Sequence, residues 1–306
     1  MAGHSIRRRR GLLRTVALLA LLVSSGAGAA TIYKFTDAQG VVNYTDRQTP
    51  GAKVLVFRDR MVERFEQQVR LLTQRGPGST RFSVRNDLYA PVQVALTLSN
   101  LGNAKGSAPG TLKRLIAPRS TVELTTLVAQ QAGRPLTFRQ SFSYAPGDPG
   151  KAPLDYAYPL PWIGGPFRLS QGPNGPYSHF GAKSRYAMDI AMPRGTPIIA
   201  ARAGRVIKVE NGQAEGGSEA SGNFVRVLHD DGTMGVYLHL GQGTVSVHEG
   251  QQVSVGTPLG HSGNTGNSSG PHLHFVVQRN VGLALESIPY RFDRPVGVLP
   301  NFAARR

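Results

Sequence analysis

Two histidines late in the sequence stand in a spacing suited to metal or acid–base chemistry. In "GPHLHF", His272 and His274 are two residues apart, so a β-strand would place both imidazoles on one face while Leu273 and Phe275 point into a core. Neutral imidazoles can bind a metal or accept a proton near pH 7. Two exposed strand histidines would have the same spacing, so the His-x-His motif alone leaves both interpretations open.

A second apolar segment carries another histidine. The stretch "GTMGVYLHLGQG" is typical of a strand. Strict alternation along it predicts Tyr237 and His239 on one face and Val236 and Leu238 on the other.

The other histidines fall in segments typical of turns and loops. His229 stands before a hairpin turn predicted for "HDDGT", and His248 and His261 stand in the loop-like stretches "VSVHEG" and "PLGHSGNTG". We therefore expect none of these three to bind a metal. Seven of the eight histidines lie between residues 179 and 274, and the eighth, His4, belongs to an N-terminal segment that we expect to be removed.

The composition excludes several kinds of site. The sequence has no cysteine, which rules out disulfides, thiolate metal ligands and lipidated cysteines. No glutamate stands in the helical HExxH arrangement, which excludes that class of zinc protease site. The 37 glycines and 21 prolines favour a turn-rich β protein over a helical one.

The first 30 residues have the pattern of a secretory signal. A run of arginines precedes an apolar stretch at 16–23 and then small residues up to Ala29 and Ala30, which predicts cleavage after one of these alanines. The apolar stretch is shorter than the roughly 20 residues that span a bilayer, so we expect no transmembrane segment after cleavage. The sequence predicts an exported protein, periplasmic or associated with the cell envelope, and leaves both Sec and twin-arginine export open.

A basic balance remains after this segment is subtracted. Residues 1–30 hold five arginines and no acidic residue, so the mature chain has 30 basic and 18 acidic residues and a net charge of +12. Such a charge attracts polyanions without specifying them. Nucleic acid is one polyanion of this kind, but an exported protein rarely meets it. We therefore expect anionic cell-envelope polymers as partners, and no nucleic acid.

Alternating segments before residue 150 predict a β-sandwich. Val92, Val94, Leu96 and Leu98 would share one face of a strand, while "EQQVRLLTQ" and "TRFSVRN" would form a hairpin around "RGPGS". Several short strands at this spacing are typical of a sandwich. A helix remains an alternative for "RDRMVERFEQQVRLL".

The stretch "TIYKFTDAQGVVNYTDRQTP" predicts two short strands around a turn that contains Gly40. It resembles a small domain of unknown function that opens many exported Gram-negative proteins. An ordinary hairpin would account for the pattern equally well.

These elements predict an all-β chain in five parts. They are a signal peptide at 1–30, a small β domain at 31–62, a β-sandwich at 63–150, a glycine-rich antiparallel β domain at 151–290 and a C-terminal tail at 291–306.

Three segments of the histidine-rich domain, taken together, resemble one enzyme family. They read "YAMDIAMPRGTPIIAARAGRV", "VRVLHDDGTMGVYLHL" and "VSVGTPLGHSGNTGNSSGPHLHF", in that order, over roughly residues 160–280. They are similar to the lysostaphin/LytM-type zinc endopeptidases of bacterial cell walls. The resemblance implies that residues 151–290 form a peptidase domain that hydrolyses peptide cross-links of peptidoglycan.

The family pattern also implies a role for each matching residue. Asp189 and His274 would be ligands of a Zn²⁺ cofactor, and a site of two histidines and one carboxylate leaves a fourth position for water, as a catalytic zinc requires. His272 would take the proton of that water. His239 would stabilise the developing oxyanion or pass a proton to the leaving amine.

The first ligand departs from the family's usual spacing. The pattern His-x-x-x-Asp places Arg185 where the histidine is expected, and an arginine cannot ligate zinc. Relatives with an "RYA-x-D" variant carry the histidine earlier, in a Ser-His pair that here is Ser178–His179. The resemblance therefore implies that His179 is the remaining zinc ligand, and that Arg185 lies behind the ligands or faces the substrate. Tyr186 occupies the place of a tyrosine that lines the family's active site, and simple packing is its alternative role.

Two other functions are compatible with the resemblance. LytM-like domains that have lost ligands serve as activators of cell-wall amidases, and a zinc endopeptidase of this type could instead cleave proteins. The ligand set distinguishes the activator from the enzyme, since activators typically lack one or more metal or catalytic residues. In this sequence only the assignment of His179 is open, and a loop histidine beside a decayed site is its alternative.

Overall fold

The computed structural model describes residues 31–36, 42–45, 53–56, 68–106, 109–217 and 220–297. Across these ranges the chain forms strands joined by turns and loops, with no helix, which confirms the prediction of an all-β fold. The same ranges contain no helix long and apolar enough to cross a membrane. The predicted signal peptide lies outside the described residues.

The strands of the described ranges are, in chain order, β1 (Thr31–Thr36), β2 (Val42–Thr45), β3 (Lys53–Val56), β4 (Val69–Gly76), β5 (Ser79–Asn86), β6 (Val92–Gly102), β7 (Gly110–Ile116), β8 (Ser120–Val128), β9 (Thr137–Pro146), β10 (Ala157–Tyr158), β11 (Arg168–Gln171), β12 (Met188–Ala191), β13 (Pro197–Ile199), β14 (Gly204–Glu210), β15 (Asn223–Leu228), β16 (Thr233–Leu240), β17 (Gln252–Val253), β18 (Pro258–His261), β19 (His272–Asn280), β20 (Leu285–Ser287) and β21 (Arg291–Phe292).

The first three strands form a small antiparallel sheet in the order β2–β1–β3. β1 and β2 are the two strands predicted on either side of Gly40, and their antiparallel pairing is confirmed; the predicted turn lies outside the described residues. β3 adds a third strand along the other edge of β1. The limits of this domain, residues 31–62, stay a prediction.

Two three-stranded antiparallel sheets follow, in the orders β4–β5–β8 and β7–β6–β9. β4 and β5 form the hairpin predicted around "RGPGS". β4 begins at Val69, so the helical alternative is wrong for the end of its segment, and residues 58–67 of that segment lie outside the described ranges.

The predicted alternation of β6 is confirmed by burial. Its predicted inner face is buried throughout and shares one hydrophobic core with Phe82 and Val84 of the facing sheet. The two sheets therefore pack face to face, as the two halves of a sandwich do. The inner residues of β6 are Val92, Val94, Leu96 and Leu98.

The histidine-rich half is built on one large antiparallel sheet in the order β11–β12–β19–β16–β15–β14–β17, with β20 paired to β19. One side of this sheet buries a core that includes Ile190, Tyr237 and Phe275. Phe292 of β21 stacks on Phe275 in that core, although it lies just past the predicted domain limit at residue 290. The domain limits remain a proposal, and we propose that this unit extends through β21.

The sandwich and the large sheet share hydrophobic packing. Ile207, Met234 and Leu285 belong to the large sheet and its extension, yet they are buried in the core of the sandwich. The side-chain amide of Asn280 donates a hydrogen bond of 2.9 Å to the carbonyl of Gly147. The connection after β9, which its composition predicts to be a loop, is therefore packed against both parts.

We expect the sandwich and the large sheet to unfold together because of this shared core. Met234→Ala should lower the free energy of unfolding by about 2–5 kcal/mol, the usual cost of removing a buried methionine side chain. Far-UV circular dichroism reports both parts, and Trp162, the single tryptophan, reports the large-sheet core. Both signals should move to lower urea by the same amount. The control Val128→Ala removes an exposed apolar side chain of the sandwich and should have little effect. Separate transitions for the two signals would contradict a shared core.

His229 is buried behind the turn after β15, as a structural residue. Its Nδ1 lies 2.8 Å from the carbonyl oxygen of Ala203, which can only accept, so Nδ1 carries the proton. Its Nε2 accepts a hydrogen bond from the backbone N–H of Gly235. Burial lowers the pKa of His229 to about 4. The fold therefore selects the neutral ring, in agreement with the prediction that His229 flanks a turn.

This burial predicts a stability that depends on pH. A histidine whose pKa falls from 6.5 to about 4 on folding contributes stability that is full above pH 6.5 and is lost as the pH falls toward 4. Between pH 7.5 and pH 5 the metal-free protein should lose about 2 kcal/mol through this residue. Urea unfolding of His229→Asn should show a pH dependence weaker by that amount. An identical pH dependence in the variant and the unmodified protein would contradict the prediction.

Candidate metal centre

Strand register brings Asp189 and His274 together. β12 and β19 are antiparallel neighbours, and Asp189 of β12 pairs directly with His274 of β19. Side chains that stand opposite each other in such a pair point to the same face of the sheet. Oδ1 of Asp189 lies 2.8 Å from Nδ1 of His274.

His179 reaches the same point from the connection between β11 and β12. Its ring is fully buried, and its Nε2 lies 3.2 Å from Oδ1 of Asp189. Its Nδ1 lies 2.8 Å from the carbonyl oxygen of Gly172, which must accept, so the nitrogen that faces Asp189 carries the lone pair. The nine residues between the histidine and the aspartate thus fold back on themselves.

The three side chains fit a metal ion. Their donor atoms lie within 4.8 Å of one another, and all three residues are buried. Oδ1 of Asp189 accepts no hydrogen bond from the described residues, although two ring nitrogens stand beside it. A buried carboxylate oxygen without a hydrogen bond is rare and calls for an explanation, such as an ion. Two imidazoles and one carboxylate are the donor set of a zinc site with an open position.

His239 and His272 stand next to this cluster. Their ring centroids are 4.6 Å apart, and Nε2 of His272 is 3.7 Å from Oδ1 of Asp189. Nδ1 of His239 lies 2.8 Å from the carbonyl oxygen of Thr265, and Nδ1 of His272 lies 2.8 Å from that of Gly270. In its neutral form each ring therefore carries its proton on Nδ1 and keeps Nε2 as a proton acceptor.

A β-bulge places His239 on this side of the sheet. Leu238 and Leu240 pair with two consecutive residues of β15, which leaves His239 as the extra residue. Its backbone φ is +64°, in the left-handed region that a residue other than glycine seldom adopts.

The prediction that Tyr237 and His239 share a face is wrong. Tyr237 packs against Phe275 in the core, with ring centroids 5.0 Å apart. His239 lies 5.9 Å from the ring of His274, which neighbours Phe275 in β19 and points to the opposite face. The bulge adds one residue, so alternation fails at this position.

The electrostatics of the cluster suit metal binding. Burial alone would raise the pKa of Asp189, but the neighbouring rings of His274 and His179 outweigh it and hold this pKa well below its ordinary value. Burial lowers the pKa of His274, against the opposing pull of Asp189. Burial, together with the charges of His272 and His274, lowers the pKa of His239 well below its ordinary value. These directions favour an ionised Asp189 and a neutral His274, the forms that bind a metal, and a neutral His239 beside them.

Gln171, a residue that the sequence did not suggest, connects two parts of the centre. Its Nε2 donates hydrogen bonds to Oδ2 of Asp189 at 2.8 Å and to Oγ of Ser178 at 2.9 Å. A Cβ added at Gly175 would lie 2.2 Å from Cγ of Gln171. The glycines that follow Gln171 in "SQGPNGPYSH" are the one signal in the sequence that a side chain needs room there.

The remaining predicted residues lie outside the cluster. Arg185 is exposed, and its backbone N–H donates to the carbonyl of Gly181. Tyr186 is half-buried, and its backbone N–H donates to the hydroxyl of Ser287 at 3.3 Å. Their substrate-binding roles stay predictions. His248 and His261 are exposed and do not join the metal cluster.

Comparison with known proteins points to the part of the chain that contains Asp189 and His274. The model of peptidase family M23 matches residues 183–285, and the model of a domain of unknown function, DUF4124, matches residues 19–56. The first match begins after His179, so the placement of that residue depends on the geometry described above.

Two relatives share this region with the chain. The peptidoglycan DD-endopeptidase ShyA of Vibrio cholerae is 37% identical over 121 residues, which are 39% of this chain and 26% of ShyA. Lysostaphin of Staphylococcus simulans is 37% identical over 91 residues, 29% of this chain and 17% of lysostaphin. The chain thus spans well under half the length of either relative.

Among solved structures, the catalytic domain of a mutant of the prophage-encoded M23 protein EnpA from Enterococcus faecalis is 26% identical. That comparison covers 42% of this chain and 92% of the EnpA domain, with a TM-score of 0.32. The family model and the two relatives agree on one domain. Residues 183–285, which contain Asp189, His239, His272 and His274, are therefore similar to peptidase family M23, the LytM-type peptidases.

Proposed function

We propose that this protein is an exported zinc endopeptidase that hydrolyses peptide cross-links of peptidoglycan. The observation that carries the proposal is the buried cluster of His179, Asp189 and His274, with His239 and His272 beside it. ShyA is named for the same kind of activity. In this proposal His179, Asp189 and His274 hold the zinc.

A zinc ion held there would polarise the scissile carbonyl and activate a water molecule for attack. The side chains of this protein would do the rest. His272 would accept the proton of the attacking water at Nε2, because its Nδ1 proton is committed to the carbonyl of Gly270. His239, with its Nδ1 held by Thr265, would stabilise the oxyanion or protonate the leaving amine through Nε2. Arg185 would pair with a peptide carboxylate, and Tyr186 would line the substrate site.

The complete donor set favours an enzyme over an amidase activator. Because Arg185 stands where the family usually has a ligand, the role of His179 decides between the enzyme and the activator. Its buried ring and the 3.2 Å approach of its Nε2 to Asp189 support the ligand role.

We place the protein in the periplasm or at the cell envelope, on the basis of the signal pattern in residues 1–30. Anionic envelope polymers are proposed as partners because the excess charge is concentrated in one part of the chain. Residues 68–150 hold ten basic and three acidic residues. The resulting field would attract acidic polymers to the sandwich.

Metal content of purified variants tests the division of roles. His179→Ala and His274→Ala should each reduce bound zinc from about one equivalent to near zero, because two protein ligands are one fewer than a catalytic zinc site normally has. His272→Ala should keep its zinc and lose roughly 10²–10⁴-fold in activity, the usual contribution of a general base. Arg185→Ala, the matched change at the family's usual ligand position, should also keep its zinc. Stoichiometric zinc in His179→Ala would remove this residue from the ligand set.

Digestion of purified sacculi tests the substrate. The protein should release peptide fragments whose masses identify a cleaved cross-link, and a chelator should stop the release. Added zinc should restore it, because the ligands are supplied by the folded chain. Unaltered sacculi, together with stimulation of an added amidase, would favour the activator function, and cleavage of casein alone would favour a protein endopeptidase.

A further inference from the structure

We propose that Gln171 is a positioning residue of the metal centre, which orients Asp189 and His179 together through one side chain. This inference rests on the proposed metal-binding function. Gln171 ends β11, the edge strand that pairs with β12, and stands opposite Asp189 in that pair. The residue is only 6% exposed.

The amide of Gln171 uses its full hydrogen-bonding capacity. The two N–H groups of Nε2 donate to Oδ2 of Asp189 and to Oγ of Ser178. The oxygen Oε1 accepts from the backbone N–H groups of Tyr177, at 2.9 Å, and Ser178, at 3.3 Å. A primary amide has two donor hydrogens and two acceptor lone pairs, so its orientation is determined without ambiguity.

The bond to Asp189 decides which carboxylate oxygen faces the imidazoles. Oδ2 is held by Gln171, and Oδ1 is consequently turned toward His274 and His179. Without this donor the carboxylate could rotate about its Cβ–Cγ bond and accept hydrogen bonds elsewhere. Hydrogen bonds to a ligating carboxylate are a general means of fixing a metal ligand.

The bonds to Tyr177 and Ser178 fix the segment that carries His179. The connection from β11 to β12 covers residues 172–187 and contains no strand, so His179 cannot be aligned by a sheet. Gln171 instead binds Tyr177 and Ser178, the two residues immediately before His179. The hydroxyl of Ser184 closes the segment with a hydrogen bond of 2.9 Å to the carbonyl of Ser178. One side chain therefore sets the distance between two ligands that are ten residues apart.

Neither of the two side chains closest in size and shape meets all these demands. A glutamate would keep the acceptors for Tyr177 and Ser178 but would place a second negative charge against Oδ2 of Asp189. A methionine would fill the space without any donor. A Cβ at Gly175 would meet Cγ of Gln171 at 2.2 Å, so the Gln171 side chain fills the space beside this glycine.

The test compares metal affinity with stability in Gln171→Met and Gln171→Glu. Gln93→Met is the control. Gln93 lies in β6 of the sandwich and accepts a hydrogen bond from the backbone N–H of Leu283, away from the metal centre. Zinc affinity is measured by competition with a chromophoric chelator, the visible spectrum is recorded with Co²⁺ in place of zinc, and urea unfolding is measured on metal-free protein.

We expect the zinc Kd of Gln171→Met to rise about 10–100-fold, the usual effect of removing a partner of a metal ligand. The Kd of Gln171→Glu should also rise, and the Co²⁺ spectra of both variants should change, while Gln93→Met keeps the original Kd and spectrum. If Gln171→Met fails to fold, Gln171→Glu alone decides, because it is nearly isosteric. Unchanged zinc affinity and Co²⁺ spectrum, with only a lower urea midpoint, would overturn the inference and leave Gln171 a purely structural residue. Absence of zinc binding by the unmodified protein would instead refute the proposed function.

Discussion

The pairing of Asp189 with His274 across β12 and β19 is the constraint on which the metal centre depends. A slip of one residue in this register would turn Asp189 toward the core and Ile190 toward the imidazoles. The register is held by apolar neighbours, since Ile190, Leu273 and Phe275 are fully buried on the other face. Burial of each such side chain contributes about 1.5–3 kcal/mol. The hydrophobic side of the sheet thus determines the geometry of its polar side.

Three histidines of the centre are oriented in the same way. The Nδ1 atoms of His179, His239 and His272 each lie 2.8 Å from a backbone carbonyl oxygen. A carbonyl can only accept a hydrogen bond, so each contact selects the tautomer that directs a lone pair of Nε2 toward the site. All three carbonyls belong to loops, at residues 172, 265 and 270. The strands bring the residues together, and the loops decide which nitrogen of these rings can react or bind.

The sandwich meets the large sheet at the end opposite to the centre. Met234 and His239 lie near opposite ends of β16, and Asn280 and His272 are the two ends of β19. Each residue of a strand advances about 3.3 Å, so these pairs are separated by roughly 17 and 26 Å. The shared packing of Ile207, Met234 and Leu285 therefore stabilises the sheet at a distance from the reactive side chains. The sandwich can add stability and positive charge to the protein without contacting the metal ligands.

Local sequence pattern was enough to predict the all-β class, the inner face of β6 and the common face of His272 and His274, because a period of two follows directly from strand geometry. The order of the motifs also pointed to the peptidase family. The rest of the centre depends on the folded chain. His239 reaches the cluster through a bulge with φ of +64°, which breaks the period on which the prediction of its face relied. His179 and Gln171 meet Asp189 through a connection without regular structure, where sequence spacing carries no information about distance. Contacts between residues far apart in sequence place these side chains, and local patterns report only what neighbours along the chain impose.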